Sequence, residues 1–322
     1  MKIFDHFIGS CADLRQLFGR ISPDMAVVQL SRGPLIGRLQ GFSLGAFRLT
    51  LLETNQTLFL SGTRRAELCA IAIQLKGNEN DHAIRAQGHI LQWDAMFGYN
   101  INLKDYDLKI PGKSLVATII FNKEELVNLL QNHPNANLGL NRFETSNQLK
   151  LKPETIDKFR TITDQLVQTN GKSRKPDSGD QILKLIFNEV MATDRETLPA
   201  LQRENRHQAA IELLHWCINH PKENKNAVEL SNILFQSRTS LFKGCQEHFH
   251  QTLGELQRSI RLDLARQLLL NPEKRQQPGL TGVGDISRHL GFKSRSHFSK
   301  RYEEQYAELP VETLKRQKTR VR

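Results

Sequence analysis

What this chain has little of narrows it first. There are four cysteines in 322 residues, Cys11, Cys69, Cys217 and Cys245. None stands in a CxxC or zinc-type spacing, so neither a disulfide framework nor a zinc module is read here. The four are expected to be reduced, packed thiols of a cytosolic protein. No run of about 18 apolar residues occurs, and nothing is expected to span a membrane. Met1-Lys2-Ile3-Phe4-Asp5-His6 lacks the apolar stretch of a signal peptide, so a cytoplasmic location is expected. There is no Gly-rich phosphate loop and no nucleophile elbow. A metal-dependent barrel enzyme would need His and carboxylates clustered on neighbouring strands. The only candidate group is Glu79, Asp81, His82 and His89, which lacks a tight His-x-His pair. These four read as surface polar residues, and no metal, cofactor or catalytic residue is expected.

What is present is an uneven excess of positive charge. From Lys222 to the end there are 19 Lys and Arg against 11 Asp and Glu, a net of +8. The whole chain carries +11, so residues 1–221 supply +3. A basic third on a near-neutral remainder is the electrostatic footprint of a nucleic-acid-binding module, although a solvated basic surface gives the same count. At 322 residues the chain is long enough for two domains with real cores, and 39% hydrophobic with 25% charged residues is ordinary for a soluble globular protein.

Residues from about Met25 to Phe121 read as β. The runs 26–30, 44–52, 57–60, 68–75 and 115–121 are aliphatic and β-branched, with Gly41, Asn55, Gly62, Gly77-Asn78 and Pro111-Gly112 between them. Short strands at this spacing suggest a sandwich or a cupin-like barrel. The character changes near Asn122, a suitable N-cap for a helix running through Leu130. Residues 132–152 are ambiguous, 153–168 and 180–191 have helical periodicity, and 169–180 has loop composition. Pro199 to His220 reads as a further helix. The expected class is α+β. A β-rich sensing or dimerising domain (1–130) precedes a mainly helical connector (131–205), and an all-α domain (206–322) follows.

That last segment carries one motif twice. The first copy runs Leu230-Ser231, Leu234, Ser237, Leu241, Cys245 and Phe249. The second runs Ile286-Ser287, Leu290-Gly291-Phe292, Ser294, Phe298, Tyr302 and Tyr306. Apolar residues four apart put Leu241, Cys245 and Phe249, or Phe298, Tyr302 and Tyr306, on one stripe. The opposite faces carry Arg238, Thr239 and Lys243, or Arg295, Ser296 and Lys300. A short helix, a turn and a basic amphipathic helix is a helix-turn-helix pattern. Between the copies, Thr252-Leu253-Gly254-Glu255 is a capping box opening a helix from about Leu253 to Leu270. At ~1.5 Å per residue it would span roughly 27 Å. Successive major-groove faces of B-DNA lie ~34 Å apart, so such a connector suits two recognition helices about one turn apart.

Residues 206–315 resemble the AraC/XylS family of bacterial transcription regulators. The strongest match is Gly291-Phe292-Lys293-Ser294-Arg295-Ser296-His297-Phe298-Ser299-Lys300-Arg301-Tyr302, followed by Tyr306 and Pro310. The next is Ile260-Arg261-Leu262-Asp263-Leu264-Ala265-Arg266-Gln267-Leu268-Leu269, similar to the family's linker helix. The family usually has Gly where Ala307 stands and Ser where Leu309 stands. Phe235 replaces a common turn glycine, and His250 a common glycine after Phe249. The first unit is therefore the looser match.

The resemblance implies base-reading side chains at Arg238, Thr239, Phe242 and Lys243, and at Arg295, Ser296, His297 and Lys300. Arg and Lys donate to guanine or to phosphate, and Ser or Thr to either, whereas Phe242 can touch only thymine methyls or sugars. It also implies double-stranded DNA as partner, recruitment of RNA polymerase, a homodimer and an unknown small-molecule effector. Two alternatives stay open: a metal-dependent barrel enzyme fused to a DNA-binding module, and an architectural DNA binder without a ligand.

Overall fold

The computed structural model describes residues 1–19, 21–77, 84–91, 94–171, 178–276 and 279–320. The chain divides into two compact units. One comprises residues 1–7, 37–55 and 63–202, the other 8–36, 56–62 and 203–322. The units interleave, so two N-terminal stretches fold with the C-terminal third.

The first unit is built on an eight-stranded sheet. Its strands are β1 (Lys2–Ile8), β3 (Gly37–Leu44), β4 (Phe47–Thr54), β6 (Leu68–Lys76), β9 (Ala95–Phe97), β11 (Ser114–Asn122), β12 (Gln148–Lys150) and β13 (Thr197–Leu198). Their order is β1-β3-β4-β11-β6-β9-β12-β13. The central pairs are antiparallel, with Phe42 opposite Leu49, Leu49 opposite Ile119, and Ile119 opposite Ile71. The run 44–52 is not one strand. It breaks at the two-residue turn Gly45-Ala46, where Gly45 takes φ +70°, and a preceding strand, 37–44, pairs back on it. That strand escapes a propensity reading because Gly37 and Gly41 dilute it. Gly41 has its own reason: a Cβ there would lie 2.3 Å from the Phe4 ring.

One face of the sheet is covered by α2 (Lys123–Gln131), α3 (Ala136–Thr145), α4 (Pro153–Gln168) and α5 (Ser178–Met191). Leu51, Ile71 and Ala117 share one buried core with Leu126, Phe143, Phe159 and Ile186. Asn122 caps α2, accepting the Glu124 N–H at 3.0 Å, as its position in the sequence suggests. Buried Arg142 donates to the carbonyls of Val190 and Ala192, both at 2.7 Å, tying α3 to the end of α5. A small second ladder holds β10 (Asp105–Ile110), β7 (Arg85–Ala86) and β8 (His89–Ile90). Of the residues weighed as metal ligands, His89 stands on β8, while Glu79, Asp81 and His82 lie outside the described residues. So does part of the 169–180 loop. Among the described residues, no helix is long and apolar enough to cross a membrane.

The second unit is mainly helical. It holds α1 (Cys11–Phe18), the strand pair β2 (Ala26–Gln29) and β5 (Leu58–Thr63), and α6 (Asn205–Asn219). Then follow α7 (Ala227–Leu234), α8 (Arg238–Phe249), α9 (Leu253–Leu270), α10 (Pro272–Gln276), α11 (Val283–His289), α12 (Arg295–Tyr306) and α13 (Pro310–Arg320). Two cores form. The first joins Leu213, Leu230, Leu241, Phe249, Leu256 and Ile260, with Val28 and Phe59 from the N-terminal stretches. The second joins Leu262, Ala265, Leu269, Ile286, Phe298 and Tyr302. Helix α9 thus gives its first half to one core and its second half to the other.

Buried polar groups lock the N-terminal stretch onto α9. The Asp263 carboxylate accepts the N–H groups of Cys11 (2.6 Å) and Ala12 (2.8 Å), orphan donors of the first turn of α1. Arg266 is buried. It donates to the Gly9 carbonyl at 2.7 Å, pairs with Glu308 and lies over the Tyr306 ring at 4.8 Å. Burial disfavours the Arg266 charge, but the Tyr302 and Glu308 oxygens more than offset that. Cys11, Cys69, Cys217 and Cys245 are all buried free thiols, and burial pushes Cys69 up to about 11 and Cys245 up to about 12.

Candidate nucleic-acid interface

The two motif copies fold as two helix-turn-helix units. In the first, α7 begins with a capping box: the Asn226 side chain accepts from Val228 and Glu229, and Glu229 accepts the Asn226 N–H at 2.8 Å. The chain turns at Phe235, and Ser237 caps α8 by accepting the Ser240 N–H at 3.0 Å. In the second, Asp285 accepts the N–H groups of Thr281 (3.1 Å) and Gly282 (3.3 Å) ahead of α11. Gly291 makes the turn at φ +71°, and Ser294 caps α12 by accepting the His297 N–H at 3.1 Å. These caps satisfy helix-end donors that would otherwise be orphaned, and set where each amphipathic helix starts.

Starting α8 and α12 at those residues decides which side chains face inward. Leu241, Cys245 and Phe249 are buried, as are Phe298, Tyr302 and Tyr306. Their rotation places all eight candidate residues outward. Arg238, Thr239, Phe242 and Lys243 are exposed on α8, and Arg295, Ser296, His297 and Lys300 on α12. Phe242 is half exposed, at 50%. None of the cations Arg238, Lys243, Arg295 and Lys300 enters an ion pair or side-chain hydrogen bond with the described residues. Other cations of the unit are engaged: Arg206 with Glu247, Lys225 with Glu229, Arg266 with Glu308, Arg301 with Glu304. Each of these two helices therefore offers free donors on its outer face, the chemistry that guanine edges and phosphate oxygens accept.

Three positions singled out as departures from the usual glycines share one geometry. Phe235, His250 and Ala307 have φ of +52°, +54° and +52°, each in the left-handed region at a helix C-cap. The backbone keeps the conformation that favours glycine while the side chain pays ~1 kcal/mol for it. Phe235 goes further, with its ring 94% exposed at the turn leading into α8. Its type argues for burial, so only the family's turn glycine, and not hydropathy, marks this position in the sequence.

Packing constrains α8 from behind. A Cβ at Gly244 would lie 2.1 Å from the Arg206 carbonyl oxygen, so α6 and α8 meet backbone to backbone. Next to this contact, His207 and His248 stack with ring centroids 4.0 Å apart.

Residues 230–316 match the family model described as a helix-turn-helix domain. A probable AraC family transcriptional regulator from Rhodopseudomonas palustris CGA009 is 22% identical, over 34% of this chain and 97% of that one, with a TM-score of 0.30. The AraC-like transcriptional activator CuxR is 14% identical, over 86% of this chain and 96% of that one, with a TM-score of 0.39. Unsaturated fatty acid bound ToxT from Vibrio cholerae strain SCE256 is 14% identical, over 90% and 94%, with a TM-score of 0.32. Among curated proteins nothing matches.

Proposed function

With a C-terminal domain that is an AraC-type helix-turn-helix domain, we propose that this chain is a sequence-specific DNA-binding transcription regulator, controlling promoters through a bipartite site. The observation that carries this reading is the pair of capped amphipathic helices, each with a buried apolar stripe and unpaired cations outside. Helices α8 and α12 enter successive major grooves. Lys243 and Lys300, one per helix, are the leading contacts, supported by Arg238, Thr239, Arg295 and Ser296. Phe242 and His297 stand on the same faces as apolar and aromatic contacts. Arg and Lys read guanine O6 and N7, while the hydroxyls donate to bases or phosphates.

The first unit is assigned sensing or dimerisation. Its closed core of sheet and four helices is more structure than a bare DNA binder needs. In this reading an effector or a homodimer contact changes how the DNA unit engages its promoter and recruits RNA polymerase. The protein acts in the cytoplasm and is not an enzyme.

The test is affinity selection of sheared genomic fragments by the purified, tagged chain, followed by sequencing. A few strong sites sharing a bipartite motif about one DNA turn apart support the proposal. Diffuse, salt-sensitive capture without a motif refutes it and leaves a non-specific basic module.

A further inference from the structure

The second unit holds a half-open cleft of about 250 Å³ that the DNA-binding role does not use. It is lined mainly by polar groups. Its walls come from four places: the stretch Leu30–Arg32, the end of α8 at His250, the start of α9 at Glu255 and Arg258, and the second half of α12 at Arg301, Glu304 and Gln305. The N-terminal wall is held in place. The Gly33 N–H donates to the Gln305 carbonyl at 2.8 Å, and Ser31 Oγ accepts the Thr57 N–H at 2.8 Å.

Three guanidinium groups meet here, from Arg32, Arg258 and Arg301. Two carboxylates, Glu255 and Glu304, share the lining and face Arg258 and Arg301 electrostatically, which leaves three guanidinium groups against two carboxylates. Glu255 accepts the N–H and hydroxyl of Thr252, both at 2.8 Å, and Glu304 accepts from Arg301 at 2.7 Å. Arg32 and Arg258 make no ion pair or hydrogen bond with the described residues. Arg301 Nε is buried and has no hydrogen-bond partner. A buried guanidinium N–H without an acceptor is costly, and Arg32 and Arg258, which enter no ion pair, add forked donors around a concave, polar space that fit phosphate oxygens.

We propose that this cavity binds the phosphate group of a small molecule, held between Arg32, Arg258 and Arg301. The volume suits a small metabolite, being below the range of drug-sized sites. The duplex backbone is the other source of the same chemistry. The experiment separates the two sources. An anion held by these three arginines would join the N-terminal stretch to α9 and to the second reading helix, α12. Its occupancy is therefore expected to change DNA affinity, a consequence that rests on the regulator reading above; the anion site itself does not.

The experiment uses the full chain at constant ionic strength. Calorimetry and thermal shift follow inorganic phosphate and a phosphate monoester, with chloride as control. The expected result is saturable binding of at least one phosphate, weakened tenfold or more by Arg258→Ala and by Arg32→Ala. Arg258→Lys should restore only part, since an ammonium lacks the fork. Arg32 is exposed, so Arg32→Ala is expected to melt like the parent without phosphate. A response no different from chloride, or unchanged affinity in both alanine variants, overturns the proposal. So does a third result: no saturable phosphate binding, with Arg258→Ala weakening every DNA sequence alike and lowering the log affinity–log salt slope by about 1. That outcome assigns Arg258 to the duplex backbone. Saturable phosphate binding in a chain that selects no DNA would keep the site and refute only the regulator reading.

Discussion

Replacing Gly244 by alanine sets two large effects against each other, and the structure decides the sign. Gly244 lies inside α8, where alanine is favoured over glycine by ~1 kcal/mol. On propensity alone the variant should be more stable. The added Cβ, however, would stand 2.1 Å from the Arg206 carbonyl oxygen and 3.3 Å from the Ala210 Cβ. A normal contact needs about 1 Å more, and the obstacle is the backbone of α6 rather than a side chain that can swing away. Overpacking of this kind costs ~1–3 kcal/mol, at the upper end where two backbones must separate. The net expectation is destabilisation by about 2 kcal/mol, a fall of roughly 4–8 °C in melting temperature at ~2–4 °C per kcal/mol for a unit of this size. Differential scanning calorimetry of the parent and the variant reads this directly. Specific DNA affinity should fall as well, because α8 must move outward relative to α12 while its charges stay the same. A variant that melts at or above the parent's temperature would show that propensity wins and that the close approach of α6 to α8 does not exist.

The left-handed caps give the opposite sign: Ala307→Gly should stabilise by ~1 kcal/mol, and a melting temperature that falls would show that Ala307 does not have positive φ. Lys243→Ala and Lys300→Ala should each cost ~1–3 kcal/mol on the specific site if they read bases, and weaken all sequences alike if they meet phosphate. Affinity equal to the parent at low salt, in a titration with labelled duplex, would reject both roles. The N-terminal caps make stability depend on acid. Glu255 is held below the usual carboxylate range by the Thr252 N–H, Glu229 by the Asn226 N–H, and Asp285 by the Thr281 hydroxyl. Since their folded pKa values lie below the unfolded ones, their stabilisation is complete above about pH 4.5 and is lost as the pH falls through the folded values. Melting temperature should drop from pH 5 to pH 3, and Glu255→Gln should reduce that slope; an identical slope would remove Glu255 from the cause.

How legible all this was in the sequence depends on whether the signal is local. Helix α9 could be bounded at Leu253 and Leu270 because a capping box opens it and Asn271-Pro272 closes it, both within a few residues of the ends. The exposed faces of α8 and α12 followed from apolar residues four apart, and the eight candidate residues face outward as that period requires. Residues 132–152 gave no such period. They fold as α3 and β12 because a core formed with distant residues, Phe143 with Tyr99 for example, fixes them. The helix read from Pro199 starts only at Asn205, where no side-chain cap marks the start. Least legible is the joining of residues 8–36 to the C-terminal third. It depends on single buried groups, Asp263 beneath the first turn of α1 and Arg266 beneath Gly9, about 250 residues away in the chain. The phosphate cavity is hidden for the same reason: its arginines come from positions 32, 258 and 301, and no spacing rule links them.

The division of α9 between two cores has a consequence for the DNA that can be bound. Leu253, Leu256 and Ile260 belong to the first core, and Leu262, Ala265, Leu268 and Leu269 to the second, all on one uninterrupted helix. Swinging one helix-turn-helix unit away from the other would pull one of these groups out of its core. Exposing a leucine or isoleucine costs ~1.5–3 kcal/mol, so withdrawing even two exceeds what a typical base contact returns. The two reading helices should therefore hold a fixed separation, and the protein should measure spacing as well as sequence. Inserting about five base pairs between the two half-sites turns the second one to the far face of the duplex, since a helical turn takes ~10 base pairs. Affinity should fall to that of a single half-site, and inserting about ten should not restore it, because the rigid connector cannot lengthen. A flexible tether would recover most of the affinity at ten. Binding that tolerates both insertions would mean that α9 does not join the two cores as one rigid body.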